Sequence, residues 1–160
     1  MTSILKVSEI QDPTNSNSAL SIDSSGRIFT PQRPAFYIRK TGTTYTYGTS
    51  PIPWDDVVFD TANAWNSSSY RYECPVAGLY WVNISIHNTT NQTTSAFVRK
   101  SGGSYLFGFN ANTAGGTEGN LVISALMECT ASDYIDAVGD RSTAAGYFGS
   151  LSAMQVMFMG

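Results

Sequence analysis

The stretch Tyr70–Ile86, reading Tyr-Arg-Tyr-Glu-Cys-Pro-Val-Ala-Gly-Leu-Tyr-Trp-Val-Asn-Ile-Ser-Ile, constrains the fold more than any other part of the chain. Pro75 has no N–H to give to a ladder and Gly78 tolerates a left-handed turn. Cys74–Gly78 therefore reads as a break between a strand ending near Glu73 and one starting at Leu79. Beyond the break, Tyr80, Val82, Ile84 and Ile86 alternate with Leu79, Trp81, Asn83 and Ser85. A period of two puts each set on its own face, the pattern of a half-buried strand and not of a helix. The first set is the expected core face, joined by Phe59 and Leu126 from neighbouring runs. Trp81 and Leu79 then point out of the core, and an outward Trp on a central strand calls for cover, either by further copies of the chain or by its own N-terminal segment.

The 160 residues suit one compact domain, and with 42% hydrophobic content a chain of this size needs no covalent staple. Charged residues make up only 13% of the chain, whereas Ser, Thr, Asn and Gly are plentiful, as expected of β-structure with polar loops. A net charge of −3 with nine basic residues argues against nucleic acid as a partner. No run approaches the roughly 18 apolar residues of a membrane span, so no membrane partner is expected. Met1–Lys6 lacks the features of a secretory signal, so unless a signal has been removed the protein is expected to be made and kept in the cytosol. Cys74 and Cys129 are too few for a disulfide scaffold or a four-cysteine zinc site; they are either bridged to one another or two small buried hydrophobes.

Residues 1–33 differ in texture from the rest. Ile4–Ile10, carrying Ile4, Leu5, Val7 and Ile10, is a short apolar-rich segment. Ala19–Asp23 and Arg27–Thr30, carrying Leu20, Ile22 and Ile28, flank Ser24-Ser25-Gly26 as a small hairpin. Strands this short cannot form an independent core, so the segment is expected to be an attachment or trimerisation arm buried against something else. Pro31 and Pro34 mark a stiff joint into a head spanning 34–160. There the spacing predicts strands at Ala35–Arg39, Val57–Phe59, up to Glu73, from Leu79, at Ala96–Lys100, Tyr105–Asn110, Leu121–Glu128, Tyr134–Val138 and within Tyr147–Phe158. The expected fold class is all-β, an antiparallel two-sheet sandwich of about ten strands.

The corner residues Tyr72, Cys74, Pro75, Gly78 and Tyr80 resemble the aromatic-x-Cys-Pro followed by Gly-x-Tyr of the globular head of complement C1q and its relatives, which share the jelly roll of the tumour necrosis factor family. Val58-Phe59-Asp60 with Asn63, and Leu126 with Asp133-Tyr134-Ile135, are similar to further stretches of that family over roughly residues 34–160, although Ser132 stands where the family has Gly. The family's closing Phe-Ser-Gly-x-Leu is only partly matched, by Leu151-Ser152-Ala153-Met154 or Phe148-Gly149-Ser150-Leu151, which leaves two registers for the last strand. The resemblance implies a jelly roll and a homotrimer in which the sheet bearing Trp81 and Leu79 packs about a threefold axis. Ser3–Val7 with Ser21–Ile28 is similar to leading segments of structural proteins of tailed phages. It implies a virion location and docking of the arm on the major capsid protein or a tail component.

Little in the sequence suggests catalysis. His87 is the only histidine and sits at an expected solvent-facing loop edge, and no Gly-x-Ser-x-Gly elbow is present. Gly102-Gly103 and Gly115-Gly116 have no following helix to receive a phosphate and read as turns. Asp55, Asp56 and Asp60, and Asp133, Asp136 and Asp140, are oxygen-rich groups that are either solvated loop edges or a calcium site; otherwise no cofactor is expected. Four runs beginning at Asn66, Asn83, Asn88 and Asn91 match the glycosylation acceptor pattern but, without secretion, read as polar loops and a strand face. Trp54 and Trp65 are either loop anchors or ligand platforms. The expected function is a non-enzymatic capsid decoration (cement) protein. The alternatives are a short tail-fibre tip that binds a host glycan or receptor through the Ser/Thr/Asn-rich head loops, and a soluble lectin- or cytokine-like module.

Overall fold

A computed structural model describes residues 6–14, 16–41, 48–88, 94–103, 105–111, 119–140 and 152–160, and every regular element among them is a β-strand. The chain divides into two compact units, Met1–Arg33 and Pro34–Gly160.

In the first unit β1 (Glu9–Gln11), β2 (Ser18–Ile22) and β3 (Ile28–Phe29) form an antiparallel sheet in that order. The β2–β3 turn closes on Asp23, whose carboxylate accepts the Ser25 and Arg27 amides at 2.9 Å and Arg27 Nε at 2.7 Å, while Gly26 takes φ 79°. Ile10 lies opposite Leu20 and Ile22 opposite Ile28, so these four side chains share one face. Leu20 and Ile22 are half-buried, whereas Val7, Ile10 and Ile28 are exposed. Strands of two to five residues bury too little to be stable by themselves. Ile4 and Leu5 lie outside the described residues.

The second unit holds β4 (Ala35–Arg39), β5 (Gly48–Pro51), β6 (Asp56–Asp60), β7 (Trp65–Asn66), β8 (Arg71–Glu73), β9 (Gly78–Asn88), β10 (Thr94–Lys100), β11 (Tyr105–Ala111), β12 (Gly119–Cys129), β13 (Tyr134–Asp140) and β14 (Ala153–Phe158). They form two antiparallel sheets, one in the order β12-β9-β14-β4-β6 and the other β11-β10-β13-β8-β7, with β5 also paired to β13. Between the sheets lies the core: Phe36 and Ile38, Tyr80 to Ile86 at period two, Leu121 to Met127 at period two, Met154 and Val156 from the first sheet, and Tyr72, Ala96, Val98, Ile135 and Ala137 from the second. Each fully buried Ile or Val contributes roughly 1.5–3 kcal/mol relative to exposure. Trp54 is drawn in with Ile52, which lies between Pro51 and Pro53 and whose amide bonds Ala137 O at 2.8 Å. Trp65 stacks on Phe36 with centroids 5.2 Å apart, so both tryptophans are packing elements. Strand β13 is buried on both faces, Ile135–Gly139 without a break.

The corner is tied by its own aromatic residue. Tyr80 is fully buried, yet its hydroxyl donates to Val76 O at 2.7 Å and accepts the Val76 amide at 3.3 Å, bridging the break between β8 and β9. Gly78 has φ 145°, and a Cβ there would lie 2.6 Å from Gly160 O and 2.7 Å from the Phe158 ring. The close of the chain is seated on the corner by two further bonds, Leu79 N to Gly160 O and Met159 N to Leu79 O. In the last strand Met154 faces the core opposite Ile84 and Ile38, and Ser152, just before it, is fully buried. Residues 148–151 lie outside the described residues.

Two expected core residues are not in the core. Leu126 is 60% exposed because it pairs with Trp81 and shares its outward face, while Ala125 and Met127 take the inward positions. Phe59 is 46% exposed on edge strand β6, where a bulge opposite Tyr37/Ile38 turns it outward against the Tyr37 ring.

Candidate functional site

The outward face of the sheet β12-β9-β14-β4-β6 concentrates what the core leaves over. Directly paired residues of antiparallel strands share a face, so the ladder registers give its rows. One row runs Leu126, Trp81, Met157, with Leu79 beyond Trp81 on β9. The next runs Ser124, Asn83, Gln155, Tyr37, Phe59, and the third Val122, Ser85, Ala153, Arg39, Asp56. Leu126 and Val122 are each 60% exposed, and Leu79, Met157 and Phe59 are exposed as well. Trp81 lies half-buried among them and donates its indole N–H to Ser124 Oγ at 2.9 Å, which fixes the ring against the sheet. Asn83 Nδ2 donates to Gln155 Oε1 at 3.3 Å in the middle row. Charge is confined to the border: Arg39 Nε meets Asp56 Oδ2 at 2.8 Å, and Glu128 lies opposite Leu79. An apolar row beside a neutral polar row, with charges at the rim, has the make-up of the core of a protein interface.

Sequence reasoning placed Trp81 and Leu79 on this outward face but did not single out Met157, Val122, Tyr37 and Gln155. A signal for Val122 was available, since Leu121, Ile123, Ala125 and Met127 form an unbroken apolar set whose complement is Val122, Ser124, Leu126 and Glu128.

The carboxylates are occupied within the protein. Asp55 pairs with Lys40 and accepts the Thr41 amide at 2.7 Å; burial works against its charge, but the Lys40 and Thr41 bonds win and hold it below its ordinary value. Asp60 accepts the Trp65 amide at 2.8 Å, capping the turn into β7. Asp136, 2% exposed, takes a two-pronged bond from Arg99, 2.7 Å at each oxygen. Asp133 accepts from Ser101 Oγ at 2.5 Å and from the Thr130 amide at 2.8 Å, and these bonds, in that order, lower its pKa. The Asp140 side chain and Gly115-Gly116 lie outside the described residues. Among those described, no three His, Cys, Asp or Glu side chains converge as metal ligands. His87 is the last residue but one of β9; it is half-buried and not solvent-facing, and its amide bonds Ser152 Oγ at 3.0 Å. Of the acceptor-pattern asparagines, Asn66 closes a turn by accepting the Ser68 amide at 3.1 Å, and Asn83 is on the sheet face; the runs from Asn88 and Asn91 extend outside the described residues. Cys74 and Cys129 are both buried and unbridged.

A model of the C1q domain matches residues 35–133. Among solved structures the chain is similar to the globular domain of zebrafish complement 1qA protein, with TM-score 0.67 and 12% identity over 80% of this chain and 98% of that one. It is also similar to the Eiger TNF of S. frugiperda, with TM-score 0.64 and 12% identity over 81% and 94%, and to murine APRIL, with TM-score 0.63 and 10% identity over 79% and 99%. A search of curated proteins by sequence finds no match. The two-sheet sandwich is thus the C1q/TNF jelly roll.

Proposed function

Because the chain belongs to the C1q domain family, we propose that it is a non-enzymatic homotrimer whose heads associate through the outward face of β12-β9-β14-β4-β6. The observation that carries this is the row Leu126, Trp81, Met157 with Leu79 beside it, an exposed apolar strip on a face without central charge. A strip of this kind loses water favourably against copies of itself, and the rim charges set the orientation. Sedimentation equilibrium tests the assembly: a trimer is expected, and a stable monomer at micromolar concentration overturns it.

We further propose that the trimer is a virion structural protein of a tailed phage, made in the host cytoplasm, with Met1–Arg33 docking on the major capsid protein or a tail component and the head exposed. Support comes from the likeness of the arm sequence to phage structural proteins and from a small sheet whose Ile10, Leu20, Ile22 and Ile28 share a face and need cover. Three weak arms held by one trimeric head act as a single strong grip through effective concentration. Within this class capsid decoration is the reading put forward, with a short tail-fibre tip as its rival. Deletion of residues 1–33 should release the head from the particle while leaving it folded and trimeric, and undiminished particle binding overturns the arm's role. The second reading, a soluble binding module, draws on the likeness to the complement head and to the TNF-type proteins. Binding of the isolated trimer to a cell-surface receptor, with no affinity for a particle, would favour it.

A further inference from the structure

The two cysteines come from different sheets of the head. Cys74 follows β8 of the second sheet, and Cys129 ends β12 of the first. Two backbone frames bring them together. The Cys74 amide donates to Asp133 O at 2.8 Å, in the turn that follows Cys129, and Cys129 lies opposite Gly78, at the end of the turn that follows Cys74. The two side chains are near enough to perturb one another's ionisation, and their exposures are 1% and 2%. A cleft lined by Gly78, Lys100, Glu128, Thr130 and Asp133 opens on Cys129, giving a small oxidant a route to this sulfur.

We propose that Cys74 and Cys129 are a reversible redox staple, reduced in the cytosol and closed by peroxide into a disulfide that links the two sheets at the corner. The inference rests on the geometry of the head and is independent of the particle to which the protein attaches. Cys129 is the attacking group because the cleft opens on its sulfur; the neighbouring Cys74 thiol lowers the Cys129 pKa, while Cys129, and then burial, pushes Cys74 up. The Cys129 thiolate attacks one oxygen of hydrogen peroxide. The O–O bond breaks, and the departing hydroxide takes a proton to become water, leaving a sulfenic acid on Cys129. The Cys74 sulfur then attacks Cys129 Sγ; the S–O bond breaks, and hydroxide leaves with the Cys74 proton as a second water. Two thiols and one peroxide become one disulfide and two waters. A dithiol reverses the change by exchange.

The test uses the full chain, treated with hydrogen peroxide, unfolded in denaturant, alkylated with N-ethylmaleimide and weighed intact. The expected product has lost two hydrogens and takes no maleimide, and dithiothreitol restores two additions. Closing a loop of about 55 residues should raise the Tm by about 5–10 °C over the reduced chain, and Cys129→Ser should abolish both the mass change and the rise. Two alkylated thiols after peroxide, oxygen added to either sulfur without loss of hydrogens, or a disulfide between chains overturns the proposal. The wild-type mass alone decides it should the variant fail to fold.

Discussion

Gly78 occupies a position where one methyl group decides whether the corner closes. Its φ of 145° is strained for any side chain, and a Cβ would meet the Gly160 carbonyl and the Phe158 ring inside van der Waals contact. Gly78→Ala should therefore lower stability by about 1–3 kcal/mol, read as a lower urea midpoint at unchanged slope. Tyr72 is the contrasting case. Its ring is fully buried between Phe36 and Tyr80, but its hydroxyl has no hydrogen-bond partner among the described residues. Tyr72→Phe removes a buried polar group that gains nothing, so it should leave stability within about 1 kcal/mol of wild type or raise it. The glycine was legible in the sequence as a turn, because Pro75 and the period of two bracket it. Its contact with the chain's last residues was not, since they are some 80 positions away and no local pattern encodes that approach.

Elements with a clean alternation were read correctly, and those with apolar residues on both parities were not. Strand β9 sets Tyr80, Val82, Ile84 and Ile86 against a largely polar complement, which fixes its face. Strand β12 offers apolar residues at both parities, Leu121 and Ile123 on one and Val122 and Leu126 on the other, and β6 presents Val57, Val58 and Phe59 in succession on a bulged edge, so Leu126 and Phe59 faced the opposite way from expectation. The interaction face was legible only where β9 supplied it, because its other rows come from strands brought alongside by long-range pairing. At this scale Leu126→Glu is informative. The side chain is 60% exposed, so the monomer should fold with little loss, whereas three buried carboxylates near one axis should not associate. Sedimentation of a folded monomer is the expected result. The turn between β12 and β13 depends on Asp133, whose pKa is lowered by Ser101 and Thr130. A carboxylate with a folded value below its unfolded value of about 4 contributes stability that is complete above pH 4 and is lost as pH falls through the folded value. Asp133→Asn should be less stable than wild type near pH 7 and should lose less on acidification below pH 4, as followed by Tm against pH.

The division at Arg33 and Pro34 gives the whole molecule two parts of unequal self-sufficiency. The head owns a core and should fold without residues 1–33, with a Tm within a few degrees of the full chain; the arm alone should show no cooperative transition by circular dichroism. Ile135–Gly139 is buried on both faces, and its ladder partners on β5, β8 and β10 lie tens of residues earlier in the chain. Its amides have no local route to water, and their exchange with deuterium should wait for the entire sandwich to open. The β13 amides would then report the global unfolding free energy, while those of β1 and β3 exchange almost at once. A chain whose slowest protons sit on its most distant pairings should also fold slowly, over milliseconds to seconds, because that strand is secured only after the longest loops have closed.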